Sequence, residues 1–204
     1  MQVAFGLLLF FTFFIKVHAL ELKREVVILN VTEHGDITVF VDFELNGNLN
    51  SKLGLAFPET DAFELKNFFV YWNDKSLKVT KQLAGNNHRF FIGDLQLPAI
   101  FKFSVPKSKG TKHRLKTTYS YQTFLMDGTK SPEGFYLEYI LQTGSKWDKQ
   151  ISEVVFLIRG VERICERIYV LPNSYNGQCN QNGEYAVTLT NIEPSKDFRY
   201  ILTN

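Results

Sequence analysis

The chain has 204 residues, with 23 basic and 21 acidic side chains, 45% hydrophobic residues and 15% aromatic residues. So balanced a charge gives no electrostatic reason to expect nucleic acid or an anionic membrane surface as a partner. The length suits one all-β unit or two small domains, and no Pro- or Ser-rich linker, low-complexity tract or internal repeat divides it, so a single domain is expected.

Residues 1–19 read as a leader rather than as part of the fold. Ala4 to Ile15 is an uncharged apolar run, too short to span a bilayer comfortably. Val17 and Ala19 fit a signal-peptidase site, which places cleavage between Ala19 and Leu20 and the folded domain at 20–204. The start carries no Lys or Arg, and Lys16 lies close to the cut; an uncleaved N-terminal anchor is the alternative. No later stretch resembles a membrane span, so the mature chain is expected to have no transmembrane segment and to be exported, to the periplasm or the extracellular space.

Short strands follow one another from there. Arg24 to Val31 reads as the first, and His34-Gly35-Asp36 as a turn. Ile37, Val39, Val41, Phe43 and Leu45 alternate with polar or exposed positions, the period-two pattern of a half-buried strand. Leu53 to Phe57 is a short strand stopped by Pro58, and Phe68 to Trp72 a buried one. Leu77 to Val79, Arg89 to Ile92 and Ala99 to Val105 come next. Lys107 to Arg114 reads as a basic solvated loop, and Leu115 to Thr123 as a further alternating strand.

Residues 134–158 read as strand, tight loop and strand. Phe135, Leu137, Tyr139 and Leu141 alternate with Tyr136, Glu138, Ile140 and Gln142; Thr143-Gly144-Ser145 breaks the run. Trp147 falls in the loop, and Val154 to Ile158 is continuously apolar, as for a strand covered on both faces. Arg163 to Leu171, Tyr185 to Thr190 and Asp197 to Leu202 complete the series. Ten or more short strands without a long helix argue for an all-β fold, with two antiparallel sheets packed as a sandwich.

Cys165 and Cys179 are the two cysteines. In an exported chain a lone pair is expected to form a disulfide, here at the base of a loop carrying the turn cluster Pro172 to Gly177. A metal site or a reactive thiol is the alternative, and two cysteines with no histidine nearby make a poor metal site.

Several of these segments, in this order, resemble an uncharacterised family of bacterial exported proteins, domain of unknown function 4424. Ile37 to Leu45 followed by Leu55-Ala56-Phe57-Pro58 is similar to that family's early strand and its apolar-Ala-Phe-Pro step. Leu115 to Phe124 is similar to its later Tyr-containing strand, and Tyr139 to Gly144, Trp147 and Ile151 to Ile158 give the best match. The family usually has Gly-Pro before the isoleucine, where this chain has Lys149-Gln150. The resemblance implies an exported, β-rich envelope protein and carries over no catalytic residue.

No catalytic or cofactor constellation emerges. His34, His88 and His113 lie in separate predicted turns without metal-ligand spacing, no Gly-rich phosphate loop is present, and Gly144-Ser145 lacks the flanks of a nucleophile elbow. Asp42 and Glu44 share a strand face, as solvated acids often do. The expectation is a non-catalytic binding or structural module of the envelope, without metal or cofactor, whose partner is an envelope protein. The alternatives are a carbohydrate- or lipid-binding domain whose ligand meets Trp72, Trp147 and Tyr139, and a hydrolase built from dispersed Asp, His and Ser residues.

Overall fold

The computed structural model describes residues 20–59, 63–85, 90–92, 95–127, 132–141 and 150–203. Apart from one four-residue helix, every regular element among them is a strand.

The first strand, β1 (Glu21–Val31), turns through His34-Gly35 into β2 (Asp36–Asn46), and the two pair antiparallel along nearly their whole length. Strand β3 (Leu53–Glu59) precedes β4 (Lys66–Trp72), β5 (Lys75–Leu77) and β6 (Thr80–Leu83). The short β7 (Phe90–Ile92) and β8 (Leu95–Leu97) pair with each other, and β9 (Ala99–Val105) and the long β10 (Lys112–Gln122) follow. Then come β11 (Leu125–Met126), β12 (Gly134–Tyr139) and β13 (Ile151–Arg159). Helix α1 (Ile164–Arg167) leads into β14 (Ile168–Val170), β15 (Gln178–Cys179), β16 (Tyr185–Ile192) and β17 (Phe198–Thr203).

Eight strands form the main sheet, in the order β15-β16-β13-β1-β2-β10-β4-β5; β11-β12-β17-β14 and β3-β9-β6 form two smaller sheets. One face of the main sheet is lined by Val27, Leu29, Val39, Val41, Val154, Phe156 and Ile158, all buried. Leu137, Phe198, Tyr200 and Leu202 of the four-stranded sheet belong to the same apolar cluster. Phe156 stacks on Phe198 with ring centroids 4.1 Å apart, and Tyr185 meets Tyr200 edge-on at 5.5 Å. Farther along, Phe57 of β3 packs on Tyr119 of β10 at 5.2 Å, and Phe101 of β9 on Phe68 of β4 at 4.5 Å. The smaller sheets thus touch the same side of the large one through aromatic side chains.

The all-β expectation holds, and five local readings change. The sheets are not purely antiparallel: β1 runs parallel to β13, with Arg24 to Asn30 in register with Glu153 to Arg159. Parallel neighbours need a long connection, and the hundred-odd residues between these strands supply it. Nor do residues 134–158 form a hairpin, because β12 pairs with β11 and β17 whereas β13 pairs with β1 and β16. Arg163 to Leu171 is not one strand either. Arg163 takes a left-handed φ of 51°, and the chain makes the short helix α1 before β14. Gly160 makes that exit possible: its φ is +112°, and a Cβ there would lie 2.4 Å from the Val31 carbonyl oxygen.

Pro58, expected to stop β3, lies inside it, opposite Ile100. Strand β3 is an edge strand, where a residue lacking an N–H is tolerated. The basic stretch ends early, since Lys112 to Arg114 already belong to β10 and His113 is buried.

The Cys165–Cys179 disulfide is present, with Cα atoms 5.6 Å apart, and ties α1 to β15 at the edge of the main sheet. Closing a loop of this size stabilises the fold by about 3 kcal/mol in the chain-entropy account. Reduction, or the double substitution Cys165→Ser and Cys179→Ser, is expected to lower the unfolding free energy by about that amount in urea titrations; an unchanged midpoint would show that the loop is held by other contacts.

Candidate functional site

A cleft opens where the three larger sheets meet. Phe57 and Pro58 of β3, Phe63 and Leu65 of the following segment, Tyr119 and Tyr121 of β10, and Glu138, Tyr139 and Ile140 at the end of β12 line it. Alternation on β10 sends both Tyr119 and Tyr121 inward, because residues two apart share a face. Leu65 is held there by buried Glu59, whose Oε2 accepts from the Leu65 backbone N–H and from Lys81 Nζ, each at 2.9 Å. Phe63 then packs on Tyr121 with centroids 4.4 Å apart.

Behind the cleft lies Glu25. It sits on the core face of β1 with 2% of its surface exposed, and its Oε1 accepts a 2.6 Å hydrogen bond from the Tyr139 hydroxyl. Burial raises the Glu25 carboxyl from its ordinary 4.5 to about 7, partly opposed by the Tyr139 hydrogen bond, which favours the ionised form. Desolvation likewise pushes the Tyr119 and Tyr139 hydroxyls well above their usual range, and the nearby Glu25 adds to the effect. Tyr121 donates to the Glu138 backbone carbonyl at 3.2 Å, whereas the hydroxyl of Tyr119, 5% exposed, has no hydrogen-bond partner among the described residues. Glu138 carries the one charge among the described lining residues; its Oε1 accepts from Arg199 Nε at 2.8 Å and from the Tyr136 hydroxyl at 3.1 Å.

The cleft holds about 40 Å³. That is room for about three water-sized groups, enough for one small headgroup and too little to enclose a sugar ring. A second, more open depression beside α1 is lined by Glu33, Glu162, Arg163, Glu166, Arg167 and Thr203. Arg167 pairs with Glu33 at 3.0 Å and Arg163 with Glu166, so its charges largely answer one another.

Of the residues proposed from sequence, Tyr139 lines the cleft. Trp72 does not: it is 3% exposed and packs flat against His113 at 5.0 Å. Trp147, Ala19 and His88 lie outside the described residues, while Leu20, the first described, is buried. His34 sits in the exposed turn before β2, and His113 pairs across from Leu45 near the strand's far end, so the two stand about 30 Å apart by strand length. Nε2 of His113 lies 3.0 Å from the Gly47 carbonyl, to which it donates. Asp42 is paired with Arg114, and Glu44 with Arg24, on the outer sheet face. No group of three or more His, Cys, Asp or Glu among the described residues is arranged to hold a metal ion.

Two exposed aromatics differ in their surroundings. Phe40 is 43% exposed on the main sheet, whereas Phe124, though 46% exposed, stacks on Phe63 and Tyr136 beside the cleft. Glu25 went unremarked in the sequence, yet a signal was there: it falls in phase with Val27, Leu29 and Val31, an acid on an apolar strand face. A bulge at Leu22–Arg24 hides its continuity with Leu22.

No protein-family model matches the sequence, and no curated protein does. Among solved structures, a candidate nutrient-binding protein from Legionella pneumophila matches with a TM-score of 0.61 at 13% identity, over 91% of this chain and 67% of its own. The two share a fold. Leukotriene A4 hydrolase from Saccharomyces cerevisiae matches at 12% identity and a TM-score of 0.48, over 84% of this chain and 27% of its own. An M1 zinc metallopeptidase from Deinococcus radiodurans matches at 14% identity and a TM-score of 0.41, over 84% of this chain and 39% of its own. The chain thus spans about two thirds of the Legionella protein and well under half of either enzyme.

Glu25 makes stability depend on pH with a definite sign. The folded chain keeps the Glu25 proton to about 7 and the unfolded chain loses it near 4.5, so between these values the folded state binds more protons. Stability therefore falls as pH rises through that window and is level above it. Glu25→Gln should remove this slope, gaining about 3 kcal/mol on the wild type between pH 5 and pH 8.5 in urea titrations. Parallel pH profiles for the two proteins would show that Glu25 is not buried as described.

Proposed function

We propose that this chain is an exported β-sandwich binding module that holds a small ligand group in the aromatic cleft. The carrying observation is the convergence there of Phe57, Phe63, Tyr119, Tyr121 and Tyr139 with the unpartnered Tyr119 hydroxyl. Ring faces and a free hydroxyl are what a pocket uses to grip the apolar face of a ligand and fix its orientation. The fold shared with a candidate nutrient-binding protein supports a binding role. The apolar leader ending at Ala19, the disulfide and the likeness to domain of unknown function 4424 support export to the periplasm or beyond. No helix among the described residues is long and apolar enough to cross a membrane.

A second reading, docking to an envelope protein, rests on the outer face of the main sheet. There Phe40 and Phe69, 43% and 51% exposed, flank Thr118 in one cross-strand row. Crosslinking in the envelope with the wild type and with the double substitution Phe40→Ser and Phe69→Ser separates the two: loss of a specific partner only in the variant supports docking.

The cleft reading is tested by titrating the purified mature protein with monosaccharides, short-chain fatty acids and small amines while following tyrosine ring NMR signals. At least one class should shift Tyr119 and Tyr121 saturably, and Tyr119→Ala should weaken that binding tenfold or more; silence across all classes would remove the proposal. N-terminal sequencing of the exported protein should begin at Leu20, and recovery of an intact leader would refute the processing.

A further inference from the structure

We propose that the group held in the cleft is a small organic cation, an ammonium or methylated ammonium headgroup, with ionised Glu25 as its buried counter-charge behind Tyr139. This rests on the reading of the cleft as a binding site and names what the site selects.

Three observations carry it. The lining offers ring faces from Phe57, Phe63, Tyr119, Tyr121 and Tyr139, and the negative quadrupole of such faces attracts cations and repels anions. Charge points the same way. Among the described residues of the lining Glu138 is the charged one, and no described Lys or Arg belongs to it. Finally, Glu25 is a nearly fully buried carboxyl one hydrogen bond behind the cleft wall, with no basic partner described. A buried carboxyl without a counter-ion is costly to ionise, and an entering cation supplies what is missing. The 40 Å³ of space fits a compact headgroup, with the rest of its molecule outside.

Recognition and protonation are then coupled. The groups that face Glu25 are Tyr139 from β12 and Tyr119 from β10, and burial keeps both hydroxyls protonated through the neutral range. Glu25 therefore titrates behind the wall of the site, one hydrogen bond from it. Its carboxyl is raised to about 7, so the ionised fraction rises about thirtyfold from pH 5.5 to pH 8.5, and affinity for a cation rises with it.

The test uses the mature protein and calorimetry or NMR titration with methylammonium and tetramethylammonium chloride, against tert-butanol, glucose and sodium acetate. Both ammonium salts should bind more tightly than tert-butanol at pH 8.5, tenfold or more for the better one, and about thirtyfold more weakly at pH 5.5. Glu25→Gln, which keeps the side-chain shape, should bring cation affinity down to that of tert-butanol and flatten the pH profile. Tyr139→Phe, which removes the hydroxyl linking cleft and carboxyl, should also weaken cation binding. Equal affinity for tetramethylammonium and tert-butanol, or an unchanged pH profile in Glu25→Gln, overturns the proposal. Binding of glucose or acetate in preference to the cations overturns it too, while leaving the cleft as a binding site. Unmoved tyrosine signals with every probe overturn both.

Discussion

The pairing of β1 with β13 is the constraint on which the rest of the molecule depends. β1 lies between β2 and β13 in the middle of the main sheet, with every residue from Arg24 to Asn30 in register with one neighbour or both. Its β2 partner is a local hairpin neighbour. Its β13 partner lies more than a hundred residues away and brings β16 and β15 with it. Without that joint the main sheet would separate into β2-β10-β4-β5 with β1, and β13-β16-β15. Such a contact closes a very long loop, so its entropic cost comes before most of its reward, and slow, cooperative folding is the physical expectation. Leu22, Val27, Leu29 and Val31, each at most 2% exposed, repay that cost by burial against the smaller sheets.

The strands legible in the sequence were those whose one face is buried and whose other is wet. β2, β9, β10 and β16 show that alternation almost residue by residue, because the pleat sends neighbours to opposite sides. Partnership was not legible. β12 and β13 are adjacent strands with a Gly between them, which reads as a hairpin, and nothing in either strand announces that they enter different sheets. α1 was hidden for a related reason: Ile164 and Ile168 fit a strand face as well as a helical turn, and the left-handed Arg163 that starts the helix has no side-chain signature.

The candidate site was legible only in fragments. Tyr139 and Trp72 were both singled out because aromatic rings can stack on a ligand, and of the two Tyr139 lines the cleft. Large aromatics more often fill cores, and Trp72 does so, wedged against His113. The cleft itself joins β3, the segment after it, β10 and β12, four places far apart in the chain, and no local pattern predicts that convergence. Its shape depends on Glu59, whose bonds to Leu65 and Lys81 fix a short connecting segment, and that role too follows from tertiary placement.

A carboxyl in the middle of an apolar strand face is a local conflict that a fold optimised for stability alone would not keep. Val27 and Leu29 beside it show what the position otherwise calls for, and a buried carboxyl that ionises near neutrality destabilises the folded state there. The single hydrogen bond from Tyr139 offsets part of that cost, and no buried ion pair accompanies it among the described residues. Other buried or half-buried acids among the described residues have cations: Glu59 with Lys81, Asp42 with Arg114, Glu138 with Arg199. Among the described residues, the buried acid left without a cation is the one whose hydrogen-bond donor forms the wall of the cleft. Sequences that are consistent at every other level break the rules where something besides stability is served. On the proposed reading of the cleft, Glu25, Tyr139 and Tyr119 mark that place.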